Sequence, residues 1–458
     1  MALTLTLLLA TLFMAALLVT ALVPERVTVW LGCTANVLQL HTLSILGIYP
    51  SFALFCWLAP WRSAFGSALW RWPWTNALLL LAAAQTLSLR WSPQPLLGVR
   101  YLVYLLPLPL AALALYRLGR ERPALAELCL RALLLGSALE AVLVIAFRVM
   151  PSVEIGFLEH PLARLFVPPN TLEALFYASR NNVLDAAKAG GLFVNANIAS
   201  AYLGMSAIAA WYLAESTRST ALRAVAVLDW GAVLFTGSKA GLLCALAVPL
   251  ALAALRALRA RRIRPLTLVV APLAIGGLCV VVALRDDLFD DFGYSTLATI
   301  GSREEIWRYA LLMISQHPFA GLGFGGWEQR FELHASLVGG ARSIPAHNSL
   351  FILWLQSGLP GVLCGLGLVA SIYAALLRAA RSLDVTTSAL ALGVGGAFTW
   401  YFAQGLGENF GLIGEVHMTP LLGALLGYVC ARYDAALEPY ELSETVRGSA
   451  APSAVPAV

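Results

Sequence analysis

Long stretches without a charged residue dominate this chain. Residues 4–23, 265–284 and 347–377 contain no Asp, Glu, Lys or Arg. A membrane-spanning helix needs about 20 consecutive apolar residues, and in hydrocarbon only helices and closed barrels satisfy every backbone polar group. Barrel strands alternate apolar and polar residues, whereas these runs are continuous. The fold class expected is therefore an all-α polytopic membrane protein. Of the 458 residues, 60% are hydrophobic and 12% charged, against about 25% charged for a soluble domain.

The runs place spans near 4–23, 27–60, 74–89, 98–117, 126–149, 191–214, 220–236, 238–257, 265–284, 347–378, 386–406 and 415–432, about twelve transmembrane helices. The second is too long for one straight helix, and Gly47 and Pro50 predict a kink or a re-entrant piece. Met1–Ala21 lacks a basic leader and reads as a first membrane helix, not a cleaved signal. Arginine clusters at 117–122 and 256–264, with the loops near 215–223 and 378–384, mark cytoplasmic turns. Alternation puts 150–190 and 285–346 on the opposite side and both termini in the cytoplasm. The chain thus divides into N-terminal spans (1–149), a first large outer loop (150–190), central spans (191–284), a large outer loop with a helical insertion between two late spans (285–346), C-terminal spans (347–432) and a tail (433–458). The tail is rich in Ala, Ser and Pro at its end and is expected to be disordered.

The net charge of +5 comes from these short loops. No basic domain stands free of the membrane, so nucleic acid is not an expected partner. The seven cysteines lie singly in or beside apolar runs, without pairing or metal-ligand spacing. Asp286, Asp287, Asp290 and Asp291 are clustered acids, but their spacing fits no defined cation loop, and a solvated acidic turn is expected. No metal and no cofactor are called for.

Chemistry on an anionic substrate is expected in the outer loops. In the first, Thr171–Ala187 reads as a short surface helix, and Arg180, followed by Asn181 and Asn182, suits phosphate or sugar oxygens. Asn195 and Asn197 open the next span, either as caps or as contacts to a headgroup or sugar. Ser238 and Lys239 begin a helix whose amides face the same side, a setting that favours anions, although a snorkelling lysine at a tight turn reads equally well. In the second loop, Ser302-Arg303-Glu304-Glu305 fits a capping box. That puts Arg303 in a first turn, where a cation opposes the helix dipole and so points to a ligand. Trp307, Ala310, Leu311 and Ile314 continue an amphipathic stripe that His317-Pro318 stops. Gly321, Gly323, Gly325 and Gly326 permit tight turns and close backbone approach, but no Walker lysine follows. Arg342 precedes His347 and Asn348 at the outer start of a span. His347, Leu350, Phe351 and Trp354 share one face. An imidazole titrating near neutrality there suits a general base at a hydroxyl, with the helix dipole helping to keep it neutral.

Taken in order, these residues resemble the O-antigen ligase/polymerase superfamily. The resemblance rests on Ser238-Lys239-Ala240-Gly241, then Gly301 with Arg303 and Trp307, then His317-Pro318 with Gly321, Gly323 and Gly325, then His347-Asn348 with Leu350, Gly358 and Gly361. It is close over roughly 190–365. Leu89-Arg90-Trp91-Ser92 with Arg100-Tyr101 is similar to that family's second outer turn. Lys239 departs from the arginine many relatives carry, which keeps the charge but loses the bidentate fork. The resemblance implies a metal-independent, inverting glycosyltransferase of the bacterial (Gram-negative) inner membrane, with its active site facing the periplasm. The donor it implies is O-antigen on undecaprenyl pyrophosphate, and the acceptor a sugar hydroxyl of lipid A–core, which makes membrane lipids the surroundings of both. His347 would take the hydroxyl proton. Arg303, Lys239, Arg180 and Arg342 would hold the pyrophosphate, with Asn348, Asn195, Asn197 and Trp307 lining the substrate site. The motif order matches a ligase best. A polymerase or an O-linked protein oligosaccharyltransferase uses the same donor. A solute transporter, from a different class, would use buried acids such as Glu140 and Asp229.

Overall fold

The computed structural model describes residues 24–38, 68–167, 172, 175, 187–259, 290–337 and 344–449. The expected spans at 4–23 and 265–284, and most of the one at 27–60, lie outside them, as do Arg180, Arg342 and Asp286-Asp287. Every described element is helical. In chain order these are α1 (Glu25–Thr34), α2 (Pro73–Ser88), α3 (Pro95–Val103), α4 (Pro107–Glu121), α5 (Pro123–Val149), α6 (Pro151–Glu159), α7 (Ala163–Phe166), α8 (Ala196–Thr217), α9 (Thr220–Phe235), α10 (Lys239–Arg259), α11 (Asp290–Gln316), α12 (Gly326–Leu337), α13 (Ser349–Ala380), α14 (Val385–Gly405) and α15 (Thr419–Ser449). Among the described residues, four stretches are long and apolar enough to cross a membrane: Pro95–Glu121, Pro123–Val149, Lys239–Ala257 and Ser349–Ala380. The first is broken into α3 and α4 at 104–106, where Pro107 begins the second piece. Proline has no amide to donate and is accommodated at a first turn.

α8 is the axis of the bundle. Most of its length is buried on all sides, as expected of a helix rich in Ala, Gly and Ser that lets neighbours approach closely. Gly204 sits under Trp400 and Gly393 under Tyr212, so α8 and α14 run antiparallel. α4 and α15 run parallel, because Gly423 lies against Leu108 and Gly427 against Ala112. A Cβ at these glycines would stand 2.2 Å and 2.0 Å from the Leu108 and Ala112 carbonyl oxygens, the close backbone crossing that small-xxx-small spacing permits.

The two ends of the bundle differ in chemistry. At one end opposite charges pair: Arg122 with Glu25 at 2.7 Å, Arg256 with Glu215 at 2.6 Å and Arg432 with Asp384 at 3.0 Å. Tyr116 donates to Asp434 at 2.7 Å, and Tyr433 packs edge-on against Trp72. α15 continues past Arg432 as helix to Ser449, where the sequence led us to expect a disordered tail from 433 onwards.

Two further expectations are corrected. α11 does not begin at Ser302: it starts at Asp290, so Arg303 lies inside the helix, past its first turn. The stop at His317-Pro318 is where expected, with helix ending at Gln316. α13 is also not one continuous helix, since Gly358 holds φ 65°, ψ −165° within it. An unbroken helix would bond the Leu359 amide to the Leu355 carbonyl. Here the Leu359 amide donates to Pro318 O at 2.9 Å, and Leu355 O accepts from the Leu322 amide at 2.6 Å. The glycine loop is spliced into the helix in place of the lost bond.

Gly358→Ala puts a side chain in backbone space that is essentially glycine-only, costing about 1–3 kcal/mol, and sets a Cβ 2.0 Å from Phe319 O. The expected result is a clear drop in the thermal midpoint of the detergent-solubilised protein. A midpoint equal to wild type would show that the kink relaxes freely.

Candidate active site

The uncharged neighbours of the site explain its shape. Trp307 Nε1 donates to Ala346 O at 3.1 Å and Trp327 Nε1 to Ile344 O at 2.8 Å. Asn348 caps α13, its Oδ1 accepting from the Leu350 and Phe351 amides, while its Nδ2 donates to Leu406 O at 2.9 Å. His347 is pinned between these anchors with φ 45°. A non-glycine residue in the left-handed region stores strain that persists only where its surroundings over-determine it. His347 therefore precedes the cap and does not lie on the α13 face shared by Leu350, Phe351 and Trp354.

Its Nδ1 is buried and makes no hydrogen bond among the described residues. Burial, and then the charge of Arg303, push the imidazole down to about 4, well below the neutral range expected from the sequence. The ring is thus neutral at neutral pH, as a proton acceptor must be, and the nearby cation helps hold it so.

Arg303 reaches across from α11 to the loop joining α14 to α15. Its Nη2 stands 2.8 Å from Glu408 Oε1. Glu408 is 4% exposed, and burial raises its carboxyl; Arg303, a hydrogen bond from Asn197 and the charge of Lys188 pull the other way. Asn197 works at both ends: its Oδ1 accepts from Ser238 Oγ at 2.7 Å while its amide faces Glu408. Ser238 Oγ in turn accepts from the Gly241 amide at 3.1 Å. Gln404 closes the layer, donating to Asn197 O and Ser200 Oγ at 2.7 and 2.8 Å. Lys239 opens α10 directly after Ser238 and so stands at this same end.

The glycines are accounted for by packing. Gly323 lies against Ser92, whose Oγ accepts from the Phe324 amide at 2.8 Å. Trp91 Nε1 donates to Ala320 O at 3.1 Å, and the Gln94 amide bonds Phe324 O at 3.0 Å. The 89–94 turn and the glycine loop form one unit beneath α13. Their left-handed φ angles, 68° at Gly321, 75° at Gly323 and 81° at Gly325, serve backbone approach to protein.

Of the residues singled out from the sequence, the structure brings Arg303, His347, Asn197 and the Ser238–Lys239 junction to one end of the bundle. Asn348 and Asn195 are there too, but as caps: Asn195 Oδ1 accepts from the Asn197 and Ile198 amides at 2.8 and 3.3 Å. Trp307 positions the 346 carbonyl. Sequence reasoning missed Glu408 and Lys188. The one signal for Glu408 was a carboxylate in a short glycine-rich turn, Gly405–Gly411. Glu140 and Asp229 are both buried within the bundle. Glu140 accepts from the Leu192 amide at 3.0 Å, and Asp229 accepts from Ser137 Oγ at 2.5 Å.

The family described as O-antigen ligase matches residues 224–366. The matched segment is about a third of the chain, and it is similar to that family over this stretch. The match takes in Lys239, Arg303 and His347 and ends before Glu408. No curated protein matches the chain.

Proposed function

We propose that this chain is an O-antigen ligase. It transfers O-antigen polysaccharide from undecaprenyl pyrophosphate to a sugar hydroxyl of lipid A–core, at the periplasmic face of a Gram-negative inner membrane. The observation that carries this reading is the meeting of His347 and Arg303: a strained, neutral imidazole with an unpartnered ring nitrogen beside a guanidinium.

In this reading the acceptor hydroxyl gives its proton to His347 Nδ1 as its oxygen bonds the anomeric carbon of the donor. The bond from that carbon to the pyrophosphate oxygen breaks, with inversion. Arg303 stabilises the charge that grows on the departing pyrophosphate, the role of a preorganised cation at a developing anion. Lys239 and Lys188 extend the positive ground, with Arg180 and Arg342 proposed to join them. Glu408 holds Arg303 in place before the donor arrives. An anion bound at Arg303 offsets its charge and so raises the basicity of His347, tuning the base toward the working pH only when substrate is present.

A deletion strain tests the assignment through its surface glycans. Core lipid without polymer, with polymer accumulating on its lipid carrier, is expected. Single repeat units attached to lipid A–core would instead identify a polymerase.

A further inference from the structure

Against the 409–416 loop lies a cavity of about 230 Å³ between α2, α3 and the start of α13. Its wall carries one charged group, the Glu415 carboxylate, already held by the His417 and Met418 amides. Three amides, Gln85, Gln356 and Asn409, share it with three rings, Tyr101, Tyr104 and Phe410. Among the described residues no lysine or arginine lines it, so it is not built for a phosphate.

Gln85 is the decisive residue. It is 7% exposed, and its Oε1 is buried with no hydrogen-bond partner. An acceptor left unsatisfied in the interior costs about 1–3 kcal/mol and calls for an explanation in a missing partner. A ligand hydroxyl in the cavity is a donor of the right kind. Flat aromatic walls with a few placed amides suit a ring that has apolar faces and a hydroxylated edge. Ser349, two residues beyond His347, belongs to the same wall, so the cavity adjoins the base.

We propose that this cavity is a subsite for an uncharged pyranose of the acceptor glycan. The proposal rests on the transfer reading above for the identity of the acceptor, and on Gln85 and its neighbours for the site itself.

Saturation-transfer NMR on the full-length protein in detergent, with the methyl glycosides of glucose, galactose and N-acetylglucosamine as probes, tests it. At least one glycoside should take up saturation. Gln85→Leu should weaken that binding by at least about five-fold, and Asn409→Ala, a change at an exposed position, should weaken it without touching the fold. Inorganic pyrophosphate should not displace the probe. In transfer assays Gln85→Leu should raise the KM for the acceptor and leave that for the donor unchanged. Absence of saturation from all three glycosides, full binding by both variants, displacement by pyrophosphate, or a change confined to the donor KM would each overturn the subsite. Saturation in a protein that transfers nothing sinks the transfer reading alone; transfer without saturation sinks the subsite alone.

Discussion

His347→Ala lowers glycan transfer by about 10²–10⁴-fold in proteoliposomes supplied with lipid-linked polymer and core acceptor, with the protein still inserted and monodisperse. The loss is that of a positioned proton acceptor. Its pH signature separates it from a structural defect. Burial and Arg303 hold the imidazole at about 4, below the usual His value of about 6.5. The neutral, competent form is therefore present above the folded value and lost as the pH falls through it. The kcat/KM of the wild type, which reports the free enzyme, should stay level through neutral pH and decline toward about pH 4. Wild-type rates in the alanine variant would remove His347 from the reaction.

Arg303→Ala lowers kcat/KM for the lipid donor by about 10²–10³-fold, and Arg303→Lys recovers only part, because an ammonium keeps the charge without the guanidinium fork. Two secondary readouts tie the effect to this geometry. Removing the cation lifts the acid limb of the pH profile, though only in part, since burial is the larger cause of the His347 shift. Glu408 and Arg303 bond each other at 2.8 Å, so the Arg303→Ala/Glu408→Gln pair should lose no more than Arg303→Ala alone. Groups acting as one unit are non-additive in this way. Strictly additive losses would show that the two act separately.

What could be read from the chain was whatever local chemistry determines. The cap at Asn195 and the stop at His317-Pro318 each depend on a few neighbouring residues, and each lies where its pattern placed it. Arg303 was picked out for a reason that proved incorrect. The Ser302 capping pattern is real, but the helix propagates through it from Asp290, because a cap preference is worth only about 1 kcal/mol. The partner that shows what Arg303 does, Glu408, lies 105 residues away, and no periodicity links the two. The basicity of His347 was misjudged for the same reason: burial and a through-space cation set it, and neither has a signature in the neighbouring residues. The first residues past Arg432 are likewise held by distant partners, Tyr433 by Trp72 and Asp434 by Tyr116, side chains more than three hundred positions upstream.

The exchange of bonds at Gly358 also limits how the enzyme can move. With the Pro318 carbonyl and the Leu322 amide taking the places of two partners within α13, the outer half of that helix and the end of α11 travel as a single piece. Admission of a bulky lipid-borne chain therefore falls to the segments not stitched into this piece, with the imidazole riding on the stationary part as a fixed reference point for whatever arrives.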